Sequence, residues 1–281
     1  MKSALVIGAS RGIGKQVAII LSRNGYSVGV AAKTEVSQET LPGSIHDVVR
    51  DITKEGGVAI PIKCNARKSN DIQDAVTTCI EKFGKLDLAV YNAGAILWKP
   101  VIETPLSRFD LLHEVNVRGA YTMVQQVLPH FLERNTGRII LVSPPVYKRF
   151  FKGKTPYSIS KIGMTVLTHG LANELKDTGV SISSLWPATA IKAFVTDKLQ
   201  TPSSVMRTPD VFADAVLKIA EENSEKLNGL ALIDEDFLRT TGVSDFSKYR
   251  CDPDVEPPRM MPRKFPDLSV EEENDKVFPK L

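Results

Sequence analysis

Residues 4–14 read Ala4-Leu5-Val6-Ile7-Gly8-Ala9-Ser10-Arg11-Gly12-Ile13-Gly14. Four apolar residues in a row, without alternation, describe a short strand buried on both faces. The glycines that follow have the spacing Gly-x-x-x-Gly-x-Gly. Gly8 and Gly12 let the chain turn tightly after the strand, and Gly14 lets backbone and helix approach an anion closely. The helix opening here presents unpaired N–H groups and a positive dipole end. Strand, glycine turn and helix in that order are where a dinucleotide pyrophosphate docks, with Ser10, Arg11 and Ile13 completing the turn.

The same kind of apolar run recurs at residues 28–32, 58–62, 86–91, 139–142, 182–186 and 230–233. Helical patterns separate these runs. Ile72, Ala75, Val76, Cys79, Ile80 and Phe83 fall on one helical face, and Gly84 ends that element. Residues 116–133 and 156–176 are the longest helical candidates. Strict alternation of strand and helix predicts an α/β fold: one Rossmann-type, doubly wound domain with a parallel sheet of about seven strands and helices on both faces. This domain is expected to span residues 1–248. From 249 to 281 Pro253, Pro257, Pro258, Pro262 and Pro266, with Glu271-Glu272-Glu273, predict an extended tail, either disordered or laid over a neighbour.

Composition narrows the functional classes. The 281 residues are 42% hydrophobic and 25% charged, ample for a single large core. A net charge of +3, with its bases dispersed, does not point to nucleic acid. No apolar run approaches the ~18 residues of a membrane span. Arg11 and Lys15 interrupt the apolar start too early for a signal peptide. Cys64, Cys79 and Cys251 are scattered, which argues for a reducing, cytoplasmic setting, with Cys79 a core residue. The final Pro279-Lys280-Leu281 is a weak match to a peroxisomal address. His46, His113, His130 and His169 lack metal-ligand spacing, so no metal is expected.

The second informative stretch is Tyr157-Ser158-Ile159-Ser160-Lys161. Tyr157 and Lys161 lie one helical turn apart on one face. A free phenol has a pKa near 10, and a neighbouring ammonium pulls it toward the working range of an acid/base. Selection of the cofactor falls to the end of the second strand, about 20 residues past the glycine turn. An acidic residue there would bind a ribose 2′-hydroxyl. The chain has Ala31-Ala32-Lys33-Thr34 instead, with Glu35 nearby. Lys33, Thr34 and Arg11 suit a 2′-phosphate, so NADP(H) is expected over NAD(H).

These motifs, with Asn92-Ala93-Gly94, Asn116 and Pro187 in the same order, resemble the short-chain dehydrogenase/reductase family, in its branch with a catalytic tetrad. Ala31-Ala32-Lys33-Thr34 and Ser143-Pro144-Pro145 further resemble the hydroxysteroid-dehydrogenase-like subgroup, whose name says little about substrate. The resemblance covers about residues 3–240. It implies that Tyr157 gives a proton to a carbonyl oxygen, or takes one from an alcohol. Lys161 would lower the Tyr157 pKa and bind the nicotinamide ribose. Asn116 would hold a water joining Lys161 to solvent. Asn92, Ala93 and Gly94 would line the adenosine side, and Pro187, Thr189 and Ala190 the nicotinamide end. Homo-oligomers, dimers or tetramers built through the two long helices, are also implied.

Four positions depart from the family pattern. Tyr91 replaces an Asn at a strand end, Asn65 replaces an acid near the adenine, and Ala188 replaces a Gly after Pro187. The fourth change touches the chemistry: the place of the catalytic Ser, thirteen residues before Tyr157, is Pro144, which has no donor. Either the two prolines swing Ser143 inward, or Tyr157 holds the substrate oxygen alone or with a helper such as Tyr147. The loop 144–154 carries aromatics and the bases Lys148, Arg149, Lys152 and Lys154. It suits an apolar or anionic carbonyl substrate, or is a solvated basic rim. Residues 194–207 are expected to form a flap over the pocket. The expected activity is carbonyl–alcohol interconversion with NADP(H). A nucleotide-binding protein of little redox activity, or an isomerase or cyclase on the same fold, remains the alternative that Pro144 keeps open.

Overall fold

The structure is a computed structural model and describes residues 1–269. The chain begins β1 (Lys2–Ile7), α1 (Gly12–Arg23), β2 (Tyr26–Ala32), α2 (Ile45–Lys54), β3 (Ala59–Lys63), α3 (Ser69–Phe83) and β4 (Leu88–Tyr91). It continues with α4 (Leu106–Leu112), a π-helical turn (His113–Arg118), α5 (Gly119–Glu133), β5 (Gly137–Val142), the one-turn α6 (Lys148–Phe151) and α7 (Thr155–Glu174). Last come β6 (Val180–Trp186), the short pair β7 (Ala190–Ile191) and β8 (Met206–Arg207) with α8 (Phe194–Lys198) between them, α9 (Asp210–Glu221), α10 (Ser224–Leu227), β9 (Ala231–Ile233) and α11 (Asp234–Thr240).

The main sheet has the order β3-β2-β1-β4-β5-β6-β9, with every neighbouring pair parallel. Each of the seven predicted apolar runs supplies one strand. Successive residues of β1 serve opposite cores. Ala4 and Val6 pack with α1, α2 and α9, whereas Leu5 and Ile7 pack with α3, α5 and α7. Both faces are therefore dry, which is why the strand sequences run apolar without alternation. The strand order reverses between β1 and β4, leaving a crevice at their carboxyl ends where ligands of such sheets bind.

The Tyr91 departure is absorbed by packing. Its ring is buried and its hydroxyl donates to the Val115 carbonyl at 2.5 Å. Gly119 makes room, since a Cβ there would lie 1.9 Å from the Tyr91 hydroxyl. Cys79 is buried against Gly29, as its place on the apolar stripe predicts. The helix predicted from residue 116 in fact starts earlier. It runs on from Leu106 through the π turn, so Asn116 sits on the wider turn rather than at a helix start.

From Tyr249 to Phe265 the proline-rich segment runs back over its own chain. Tyr249 and Met261 are buried. Residues 270–281, including Glu271-Glu272-Glu273 and Pro279-Lys280-Leu281, lie outside the described residues. Among the described residues no helix is long and apolar enough to cross a membrane.

Candidate active site

A cavity of about 640 Å³ opens over the carboxyl ends of β1 and β4. At one end is the glycine turn. Gly8 and Gly12 have φ of +91° and +55°, conformations that favour glycine. Gly14 acts differently from the expected close approach to an anion. A Cβ at Gly14 would lie 2.2 Å from the Gly8 carbonyl oxygen, so its small size lets α1 pack onto the turn. The Asn92 side-chain amide donates to that same carbonyl at 2.9 Å. Asn92 thus ties the end of β4 to the turn. Arg11, at the N-cap, does not cap α1 with its side chain, and the first turn of the helix holds no acid. The positive end of α1 therefore faces the cavity, where Gly8, Ser10, Gly12 and Ile13 form the wall. This cradle fits the diphosphate of a dinucleotide.

Further along, Arg11, Lys33 and Thr34 share the wall with Asn65. The Arg11 guanidinium is anchored on the Pro42 and Gly43 carbonyls at 3.0 and 2.8 Å. Glu35, the nearest carboxylate in sequence, pairs with Lys63 at 2.6 Å and lines no part of the cavity. Asn65 accepts from the Arg67 N–H through its side-chain oxygen. Arg67 itself joins the wall, a contributor the sequence reading missed.

At the opposite end Tyr157 and Lys161 both open into the cavity from α7, and a Cβ at Gly94 would lie 3.5 Å from the Lys161 ammonium, whereas Ala93 abuts the glycine turn, its N–H donating to the Ile7 carbonyl at 2.9 Å. Tyr157 packs on Leu112 and Phe150, its ring centroid 6.2 Å from that of Phe150. The Lys161 ammonium donates to the Val142 carbonyl at 2.8 Å and stands 5.6 Å from the Trp186 ring centre. Among the described residues no carboxylate pairs with it. Burial pushes its pKa down to about 7 and pushes the Tyr157 phenol up. The lowering expected from Lys161 is here outweighed by burial. Both groups are desolvated, and desolvation opposes charge on either one. The result is a protonated phenol beside an amine poised near neutrality.

The remaining expected residues stand behind the wall. Ser143 is buried and points at α7, its hydroxyl 3.1 Å from that of Thr165. The prolines do turn the chain, through a Ser143 N–H bond to the Leu141 carbonyl, but they do not aim Ser143 into the cavity. The Asn116 amide is spent on the Ala95 backbone and the Ser160 hydroxyl. It therefore fixes the loop after β4. Thr189 donates to Glu235 at 2.8 Å, and Ala190 belongs to β7; neither lines the cavity. Ala188 needs no glycine conformation: the non-glycine residues with positive φ are Asn135, Asp177 and Gln200 among the described residues. The expected flap is shorter than residues 194–207. Phe194 and Val195 line the cavity, but Arg207 is fully buried in a cluster with Glu235 and Glu256. Trp186, Phe194, Ile96 and Leu111 complete the apolar end. Phe194 belongs to the expected flap, but nothing in their local spacing announced Ile96, Leu111 and Trp186, which converge from three separate segments. Among the described residues no three His, Cys, Asp or Glu side chains gather to hold a metal.

Parallel sheet, glycine cradle and a Tyr–Lys pair at opposite ends of one cavity define a nucleotide-dependent dehydrogenase architecture. The chain belongs to the short chain dehydrogenase family, whose model matches residues 2–202. It is 35% identical over 252 residues to hydroxysteroid dehydrogenase-like protein 2 of Danio rerio, an alignment covering 88% of this chain and 60% of that protein. The chain thus spans well under two thirds of that relative. A putative dehydrogenase from Xanthomonas campestris superposes with a TM-score of 0.86 at 35% identity, covering 96% of this chain and 98% of the other. A 7α-hydroxysteroid dehydrogenase complexed with NADH and 7-oxo glycochenodeoxycholic acid superposes with a TM-score of 0.70 at 25% identity, covering 83% and 92%.

Proposed function

We propose that the protein reduces a carbonyl compound with NADPH. The observation that carries this reading is the placement of Tyr157 and Lys161 at one end of a cavity whose other end is the glycine cradle. The nicotinamide, when bound, supplies the hydride that the carbonyl carbon receives. Tyr157 gives its phenolic proton to the carbonyl oxygen. Burial keeps the phenol protonated before the reaction, the form a proton donor needs. Lys161, held by the Val142 carbonyl, would hydrogen-bond the nicotinamide ribose and lend positive charge as the phenolate forms. Asn116 keeps the loop of Gly94 and Ala95 in register beside it. With Ser143 turned away, Tyr157 is the one hydroxyl acting on the oxygen.

Preference for NADP(H) over NAD(H) rests on three donors at the wall, Arg11, Lys33 and Thr34, and on Glu35 being committed to Lys63. A structural neighbour holds NADH, so the fold alone does not choose. Replacing Lys33 by Ala should raise the NADPH dissociation constant about tenfold, the worth of one charge-assisted hydrogen bond, and leave NADH nearly unchanged. Titration of both nucleotides reads this out. Wild-type protein binding NADH more tightly than NADPH would defeat the cofactor assignment.

The substrate end is walled by Ile96, Leu111, Trp186 and Phe194, so an apolar carbonyl compound fits. Self-association through α5 and α7 accords with Tyr121, Ile159 and Val166, apolar residues that stand exposed on those helices. Sedimentation of the purified protein tests it.

A further inference from the structure

The first turn of α11 reads Asp234-Glu235-Asp236, and its three side chains together hold three other segments, at residues 188–189, Arg207 and Arg259. Asp234 Oδ1 accepts from the Ala188 N–H at 2.8 Å. Glu235 accepts from the Thr189 hydroxyl at 2.8 Å and pairs with Arg207 at 2.7 Å. Asp236 takes both guanidinium nitrogens of Arg259, at 2.7 and 2.6 Å. Two of these segments then meet directly. The N–H groups of Met260 and Met261 donate to the Ala188 carbonyl at 2.8 and 3.1 Å. Ala188 is therefore gripped on one side by α11 and on the other by the chain following Arg259.

That same stretch reaches the substrate side. The Met260 carbonyl accepts from Arg149 at 2.7 Å, Met261 sulfur lies 3.3 Å from the Tyr147 hydroxyl, and Phe265 meets the Tyr147 ring edge-on at 5.5 Å. Arg207 ties the start of the segment down through Glu256 at 2.5 Å. Residues 256–265 thus form a strap with three anchors. It runs from the buried Arg207 cluster, across the loop that follows Pro187, to the loop that precedes Tyr157.

We infer that this strap, locked by the Arg259–Asp236 pair, positions the Pro187–Ala188 loop and the Tyr147 loop for reaction, and that Arg259 and Asp236 are positioning residues although neither lines the cavity. The inference rests on the nicotinamide reading given above. Cradle, Lys33 and Arg11 lie far along the cavity from the strap, so releasing the strap should disturb reaction geometry more than nucleotide affinity. Misplacing a reacting group by about 1 Å costs up to ~100-fold in rate, so a drop in kcat of at least ~10-fold is expected from a loosened strap.

The test uses the full chain with NADPH and a panel of apolar ketones. Arg259→Ala and Asp236→Ala should each lower kcat by that factor with the NADPH dissociation constant nearly unchanged. The exchanged pair, Arg259→Asp with Asp236→Arg, should recover most of the rate. Trypsin supplies a readout independent of turnover. NADPH should slow cleavage after Arg259, Arg263 and Lys264 in the wild type, and fail to do so in Asp236→Ala. Single variants that keep wild-type kcat would overturn the strap. So would a fall in kcat and affinity together that tracks a lower melting temperature, since that marks a purely structural pair. Wild-type protein that binds no nucleotide overturns the nicotinamide reading itself, a result distinct from variants that turn over as fast as their parent.

Discussion

Tyr157 carries the proposed chemistry on one hydroxyl, and its neighbours make that claim sharp. Tyr157→Phe should reduce turnover about 100-fold or more while nucleotide titration stays normal, because the ring and its packing on Phe150 survive. Ser143→Ala should behave oppositely. Its oxygen faces Thr165, so turnover should hold while stability drops by about 1 kcal/mol for the lost hydrogen bond. A large loss of turnover in Ser143→Ala, measured as NADPH oxidation, would return Ser143 to the reacting centre. The sequence identified both residues but could not orient Ser143. Facing depends on how Pro144 and Pro145 bend the end of β5, and that bend is set against Thr165, twenty-two positions away.

Between elements, the β4–α5 contact shows how the Tyr91 departure is accommodated. Tyr91 occupies space that only a glycine at 119 leaves free, and the Ala66 carbonyl closes the remaining side at 2.8 Å from a Cβ built there. Gly119→Ala should therefore destabilise the fold by about 1–3 kcal/mol through overpacking. Adding Tyr91→Phe should recover part of that loss by removing the hydroxyl. Urea titration of the three variants checks the order. The strands themselves were legible, since two-sided burial writes itself as unbroken apolar runs. The π turn was not: a helix with one widened turn keeps nearly the same apolar stripe, and only the hydrogen bonds of Asn116 to Ala95 reveal why it is there.

At the scale of the molecule, two buried ionisable groups should leave opposite marks on stability. Asp234 is fully buried beside Glu235 and Arg207, and burial raises its carboxyl to about 7. Between roughly pH 4, where the unfolded chain loses this proton, and about 7, the folded state holds a proton that the unfolded state has released. Stability from this group therefore falls as pH rises through that window. Lys161, lowered to about 7, gives the reverse above it. Up to its ordinary value of 10.5 the unfolded chain binds the extra proton, so stability rises with pH. Asp234→Asn should flatten the fall between pH 4 and 7, and Lys161→Met the rise from pH 7 to 10, in urea melts of cofactor-free protein. Unaltered slopes would show that neither group titrates as its burial implies.

The sequence by itself determined the parallel sheet, the glycine turn, the Tyr–Lys spacing and the lack of an acid after β2, because each is written in neighbouring residues. Tertiary structure decided which way Ser143 faces, where Gly14 is needed, and that the proline-rich stretch closes back on Ala188. Those outcomes come from groups distant in the chain competing for the same buried space and the same few hydrogen-bond partners, a contest that no local pattern records.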